Sequence, residues 1–380
     1  MYYYNSYVEV DCEKFRNNIQ SIRADLGPET AVIPVLKCDA YGLGAVTLAR
    51  EIALGPGAGL MAVAQVGEAI TLRESGIACD LLVLAGVPEA HIAPAVTHSI
   101  QLACYSVPQL RQIAGQARLQ NRRAGIQLKI ETGLNRLGVR PGDELALWIA
   151  AFKQQRDVDL CGVYAHFIDA EIPGSPLAHQ QLALYQQALS QLDAAGIPVP
   201  LRHICNSGAS EWYRDAFLDA ARIGRRLYMD APANPRTAGT PAAVSEIASW
   251  RAQVVSLRTL AIGETTGYDE AFRATRPTTV AVVSAGYGDG LDERLGPARA
   301  PVLVGDGHEA HYLAVCMDQS VLDVTGIPCR VGDEVTFYGH TSAGAFLCAQ
   351  RIAATIGHEG VYLTTRLGNR VQRVYRGQMG

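Results

Sequence analysis

Lysine is scarce in this chain. Its 380 residues include 33 lysines and arginines, yet only four are lysines: Lys14, Lys37, Lys129 and Lys153. Regular cysteine spacing is missing too. Nine cysteines at irregular intervals, with no CxxC pair, exclude a disulfide framework or a zinc cluster. Mostly buried, reduced thiols in a cytoplasmic protein are the expectation. The histidines do not gather either, and "GHEG" at 357–360 lacks the second histidine of a zincin helix, so no metal is expected. No apolar run approaches the ~20 residues that span a bilayer. The opening "MYYYNSYVEVDCEKF" has neither the basic n-region nor the apolar h-region of a signal peptide. A formal charge of −4 leaves no electrostatic footprint for nucleic acid or an anionic membrane. Neither GxGxxG nor GxxxxGK[ST] occurs, which removes the usual glycine-rich phosphate turns.

What is present is a repeat. Through the first 230 residues, short apolar runs end at turn signals and amphipathic stretches follow. The runs lie at 32–37, 61–65, 81–84, 102–104, 128–131, 162–166, 202–206 and 221–223. Between the first two, Ala45, Leu48, Ala49 and Ile52 fall on one helical face, and 177–192 has the same period. Near-continuous apolar strands belong to a parallel sheet covered by helices. Eight such units fit a closed (β/α)8 TIM-type barrel, with an open doubly wound sheet as the rival. After the Pro- and Ala-rich stretch 230–243 the pattern becomes mostly β, with Asp306-Gly307 as a hairpin turn and only "GAFLCAQRIAATIG" helical. Two domains are expected, 1–237 and 238–380, with the boundary near 235–245.

Barrels of this kind work at the C-terminal ends of their strands. Those ends carry Lys37, Arg136, His166, Asn206 with Ser207, and Arg222 with Gly224. Singly, each has a plain explanation: a solvated terminus, a core histidine, half of an ion pair. Together they crowd one mouth. An amine held there among cations is made nucleophilic toward a carbonyl, and the carbonyl most often held so is pyridoxal phosphate. "CNSGAS" at 205–210 supplies hydroxyls and backbone N–H groups for its phosphate.

At this point the chain resembles a family. "VLKCDAYGLG" resembles the pyridoxal-lysine motif of the bacterial alanine racemases, usually V-K-A-D-A-Y-G-H-G. "LKIETGLNRLGVRP", "GVYAHF", "RIGRRLY", "GYDEAF", "SAGYGDG", "AVCMDQSVLDVT" and "RVQRVY" follow in family order, with Tyr268 and Tyr287 nineteen apart. The resemblance runs from about Tyr7 to near the end. It implies a (β/α)8 barrel followed by a β domain, and an enzyme that interconverts L- and D-alanine with pyridoxal 5′-phosphate. Lys37 would bind the cofactor covalently and carry one proton; Tyr268, from the second subunit of a homodimer, would carry the other. Arg222 would meet the pyridine nitrogen and His166 would back the ring. Tyr41, Ser207 and the backbone of Gly224 and Arg225 would hold the phosphate. Arg136 would orient the cofactor phenolate, and Met317 would present its N–H to the substrate carboxylate. Lys129, costly to bury mid-strand, would be carbamylated as in some members, bracing Arg136, or would pair with Glu131.

Two positions depart from the family. Arg225 replaces a residue that is commonly apolar. Asn369 falls where many alanine racemases place a tyrosine that touches the phosphate and narrows the pocket, and on that alignment serine would be racemised beside alanine. Barrel-type amino-acid decarboxylases share the fold class but resemble G-E-P-G-R near the cofactor nitrogen, an acid where this chain has Arg222. A non-catalytic pyridoxal-binding protein would be a lone barrel, without the domain that carries Tyr268.

Overall fold

A computed structural model describes residues 5–229 and 244–379. Eight parallel strands follow one another in space as they do in sequence: Ala31–Pro34, Leu60–Val63, Asp80–Val83, Gln101–Cys104, Ala124–Lys129, Val158–Tyr164, Arg202–His203 and Ala220–Ile223. The first pairs with the last in parallel register, Ala31 opposite Ala220 and Pro34 opposite Ile223. The Val35–Ala62 bridge joins first to second. Arg222 N donates to Cys205 O at 2.9 Å between the last two. The sheet is therefore closed, and the open-sheet rival is set aside.

The helical faces read from sequence pack as expected. Ala45–Leu54 buries Ala45, Leu48, Ala49 and Ile52. Burying Leu48 and Ile52 stabilises the fold by about 1.5–3 kcal/mol each. The stretch 177–192 lies inside the helix Pro176–Ala194, opened by Pro at its first turn and by Ser175, whose side chain accepts from Ala178 N. No helix among the described residues is long and apolar enough to cross a membrane.

The remainder is built on a nine-stranded sheet. Its spine is the 13-residue strand Ala248–Leu260, bulged between Val254 and Ser256, which lets one strand pair with three antiparallel partners. The hairpin Pro301–Val304 to His308–Val315 turns at Gly305–Gly307, around the expected Asp306-Gly307. Tyr7–Asp11, first in the chain, pairs with Ala248–Leu260 and with Gln372–Arg376. By hydrogen bonding this segment sits in the β sheet, although it precedes the barrel. The expected boundary at 237/238 lies outside the described residues.

Three expectations need correcting. The first barrel strand ends at Pro34, short of Lys37. A second helix, Gly360–Thr365, follows the expected one at Ala349–Thr355. The thiols are all free but not mostly buried: Cys12, Cys104 and Cys205 are buried, Cys38 is exposed and the others are partly covered.

Candidate active site

Lys37 opens a left-handed turn. Cys38, Asp39, Ala40 and Tyr41 all have φ between 52° and 58°. Such a conformation costs L-residues roughly 1–2 kcal/mol each. It is tied from both sides. Glu68 accepts from Cys38 N at 2.6 Å and from Ala64 N at 2.8 Å, and Asp39 Oδ1 accepts from Ala45 N at 2.7 Å. Gly42, at φ 86°, lies where a Cβ would come 2.1 Å from Thr364 O. The turn carries Lys37 and Tyr41 into a cavity of about 440 Å³ at the C-terminal mouth of the barrel. Burial first, then the Arg136 and Arg222 charges, hold the Lys37 amine below the usual lysine range, while Cys38 and Glu68 pull it back.

Arg222 lies almost fully buried at the end of the last strand. One terminal nitrogen donates to His203 Nδ1 at 2.8 Å and His203 O at 3.0 Å. The other donates to Ala165 O at 2.7 Å and His166 Nδ1 at 3.1 Å. A guanidinium can only donate. Both histidines therefore accept at Nδ1, and each carries its proton on Nε2. Burial, then Arg222, pushes both imidazoles well below the usual histidine range, so they are neutral. His203 Nε2 faces Gln127 Oε1 at 2.6 Å. The Nε–H of Arg222 has no protein acceptor among the described residues.

At the other end of the cavity stand Tyr41, Ser207, Gly224 and Arg225. Gly224 N donates to Ser207 Oγ at 3.0 Å, which leaves the hydroxyl proton free. A Cβ on Gly224 would come 2.3 Å from the Tyr41 oxygen. Tyr41 packs on Tyr228, ring centroids 4.8 Å apart, and Tyr228 is anchored by donating to Val35 O at 2.8 Å. These groups fit pyridoxal phosphate: an amine for its carbonyl, a cationic donor for a ring nitrogen, and hydroxyl and guanidinium donors for a phosphate.

Lys129 is buried and lines the same cavity. Burial, then Arg136 and Arg222, brings its amine down to about 8. The pairing with Glu131 does not form. That carboxylate turns to its own loop, accepting from Gly133 N at 2.6 Å and Arg136 N at 3.3 Å. Arg136 lies at the exposed rim.

The structure thus brings together Lys37, Tyr41, Arg136, Lys129, His166, Ser207, Arg222, Gly224 and Arg225. Tyr268 and Met317 do not line the cavity; they stand 78% and 54% exposed on the β domain. Asn369 is not in the wall either. It is exposed, next to Arg370, which bridges Asp289 and Asp318 beside the Tyr287 and Met317 loops. From that segment the wall instead receives Glu359 and Val361, the latter on the helix Gly360–Thr365. Sequence reasoning missed Val361, Tyr164 and His203. The last two sit in barrel strands whose near-continuous apolar pattern hides which side chains point inward.

Comparison with known proteins bears on this site. The family model for the N-terminal domain of alanine racemases matches residues 10–232, and the model for the C-terminal domain matches 247–375. An alanine racemase of Salinispora tropica is 33% identical over 374 residues, 98% of each chain. The solved alanine racemase of D-cycloserine-producing Streptomyces lavendulae superposes with a TM-score of 0.90 at 30% identity, covering 100% of this chain and 99% of its own. That of Clostridium difficile 630 gives 0.91 at 26% identity, covering 99% and 97%.

Proposed function

Since the chain belongs to the alanine racemase family, we propose that it interconverts L- and D-alanine with pyridoxal 5′-phosphate held in the barrel mouth. One observation carries this reading: the desolvated amine of Lys37 shares a cavity with Arg222, His166, Tyr41 and Ser207. When bound, the cofactor supplies a carbonyl for the amino group and an electron sink for the pair left on Cα.

Racemisation removes a proton from one face of Cα and returns one to the other, which suits two groups on opposite faces. The Lys37 amine, its proton affinity lowered by burial, takes or gives the proton on its face. The partner subunit's Tyr268 phenol serves the other. In one chain Tyr268 is far more exposed than its aromatic ring favours, which fits a residue that completes a neighbour's site in a homodimer. The partner subunit's Met317 would offer its backbone N–H to the substrate carboxylate.

Arg222 remains a cation even when buried. The proton it presents at Nε therefore stays on the arginine, and Arg222 would leave a pyridine nitrogen held there unprotonated. That would make the bound group a weaker electron sink and disfavour side reactions such as transamination. The neutral His166 adds no second proton. Arg136 would orient the cofactor phenolate from the rim.

We assign Lys129 a carbamate. Its unprotonated Nζ attacks carbon dioxide, an N–C bond forms, and one N–H proton leaves to solvent. The resulting anion answers the Arg136 and Arg222 charges that act on this position. Alanine is the substrate we assign, because the Asn369 on which serine recognition was expected lies outside the cavity walls. The test is exchange of alanine enantiomers by the purified, cofactor-loaded protein, with borohydride fixing the cofactor to the peptide containing Lys37. A label on another lysine, or no exchange by labelled protein, overturns the reading.

A further inference from the structure

Arg225 is an unusual arginine. Its side chain is nine-tenths buried in the cavity wall, and neither terminal nitrogen has a hydrogen-bond partner. Buried guanidinium donors are rarely left open, because an unmet charged donor forfeits its desolvation energy. Two carboxylates balance its charge without filling its donors: Glu211 Oε1 at 3.8 Å and Glu171 Oε1 at 3.9 Å. Charge-assisted hydrogen bonds are about 1 Å shorter.

We propose that the Arg225 side chain is itself an anion ligand: its guanidinium takes the 5′-phosphate of the cofactor, and inorganic phosphate when the cofactor is absent. The cofactor half of this statement rests on the function proposed above. Three observations fit it. Arg225 stands beside Tyr41, Ser207 and Gly224, the other groups at that end of the cavity. The wall segment at 359–361 offers a carboxylate and an isopropyl group but no hydroxyl, so the neutral side-chain donors beside Arg225 are those of Tyr41, Asn206 and Ser207, and Arg225 is the cationic one. The acids around Arg225 can release it. Glu211 also lies 3.7 Å from Arg226 Nε. Arg226 is fixed independently, donating to Asp25 Oδ2 at 2.7 Å and Ser210 Oγ at 2.8 Å. The Glu171 side chain is 48% exposed and can turn to water. A planar fork with two open donors matches two phosphate oxygens, which a lysine cannot match.

The bland reading is that Arg225 only neutralises Glu171 and Glu211. Binding measurements separate the two. Cofactor-free protein is titrated with pyridoxal phosphate, with pyridoxal, which lacks the phosphate, and with inorganic phosphate followed by phosphorus NMR. Arg225→Gln should weaken pyridoxal phosphate by about 30-fold, the size of one charged hydrogen bond, and pyridoxal by less than about twofold. It should abolish binding of inorganic phosphate. Arg225→Lys should recover part of the affinity for both phosphates and serves if the glutamine variant does not fold. Equal weakening of pyridoxal and pyridoxal phosphate, or no weakening of either, overturns the proposal. Should the wild type bind no pyridoxal phosphate, the cofactor reading fails by itself. The inorganic phosphate arm then decides the anion site: binding that Arg225→Gln abolishes sustains it, and no binding ends it.

Discussion

The barrel hides its chemistry and the β domain displays its own. Lys37, His166, Arg222 and Lys129 are desolvated at the barrel mouth, and burial lowers the proton affinity of each; at Lys37, His166 and Lys129 neighbouring cations lower it further. Tyr268, Tyr287 and Met317 stand open on the β domain. Their loops are nonetheless well organised: Tyr287 N donates to Cys316 O at 2.9 Å and Gly288 N to Met317 O at 2.8 Å. On the proposed function, this ordered but uncovered set of side chains would be half of a site and the barrel mouth of a second subunit the other half. The contrast teaches that burial shifts proton affinity, and exposure leaves a group available to a second chain.

The sharpest way to break this contrast is to remove one group from each side. Lys37→Ala and Tyr268→Phe should each lose at least about 10³-fold in alanine racemisation, as expected when a proton carrier is deleted. Mixed and allowed to exchange, the two inactive variants should recover roughly a quarter of wild-type activity, since half the dimers are hybrid and each has one intact site. With exchange verified by mass, a failure to recover would place Tyr268 within its own chain's site or outside any.

A smaller effect probes the contact between the two sides. Gly44 has φ 99°, and a Cβ there would come 1.7 Å from the Tyr375 hydroxyl. Gly44→Ala should lower unfolding free energy by about 2 kcal/mol or more, read from urea denaturation. Gly263→Ala, at φ 90° with no atom within 4 Å of its Cβ, should cost less. Equal losses would mean that conformation rather than close approach sets the cost.

The smallest effect is a slope. Lys129 has its folded value near 8, below the ordinary lysine value. Between the two the unfolded chain binds the extra proton, so this group makes stability rise with pH there. Below about 8 both states are protonated and its contribution is flat. In buffer free of carbon dioxide, Lys129→Met should remove that rise from the difference between the two stability curves. With labelled bicarbonate instead, wild type should show a carbamate carbon signal that Lys129→Met lacks.

Much of the barrel was legible because its signals are local. Ala45, Leu48, Ala49 and Ile52 declare a helical face within eight residues, and each strand is a short apolar run that stops at a turn. What was not legible depends on distance or on handedness. Nothing near Tyr7–Asp11 tells that it pairs with Ala248–Leu260, because the partner lies some 240 residues on. No residue pattern announces four consecutive left-handed residues when the glycines suited to that conformation, Gly42 and Gly44, come only after them, so Lys37 read as strand. Asn369 falls at the family's tyrosine position by alignment of "GNRVQR", whereas the short helix at Gly360–Thr365 puts Val361 in the wall.

The left-handed turn also sets the order in which the site can be assembled. Its four residues cost about 4–8 kcal/mol, comparable to the net stability of about 5–15 kcal/mol of a whole domain. Part of what holds it comes from the far end of the chain: Arg373 Nε donates to Gly42 O at 2.9 Å and the Tyr375 hydroxyl to Leu43 O at 3.1 Å. During synthesis the barrel strands emerge long before these anchors. A ribosome that has made all eight strands has therefore not yet made a finished lysine site. On the proposed function, capture of the cofactor would follow release of the last residues, and a chain cut short before Arg373 would carry Lys37 without these two anchors.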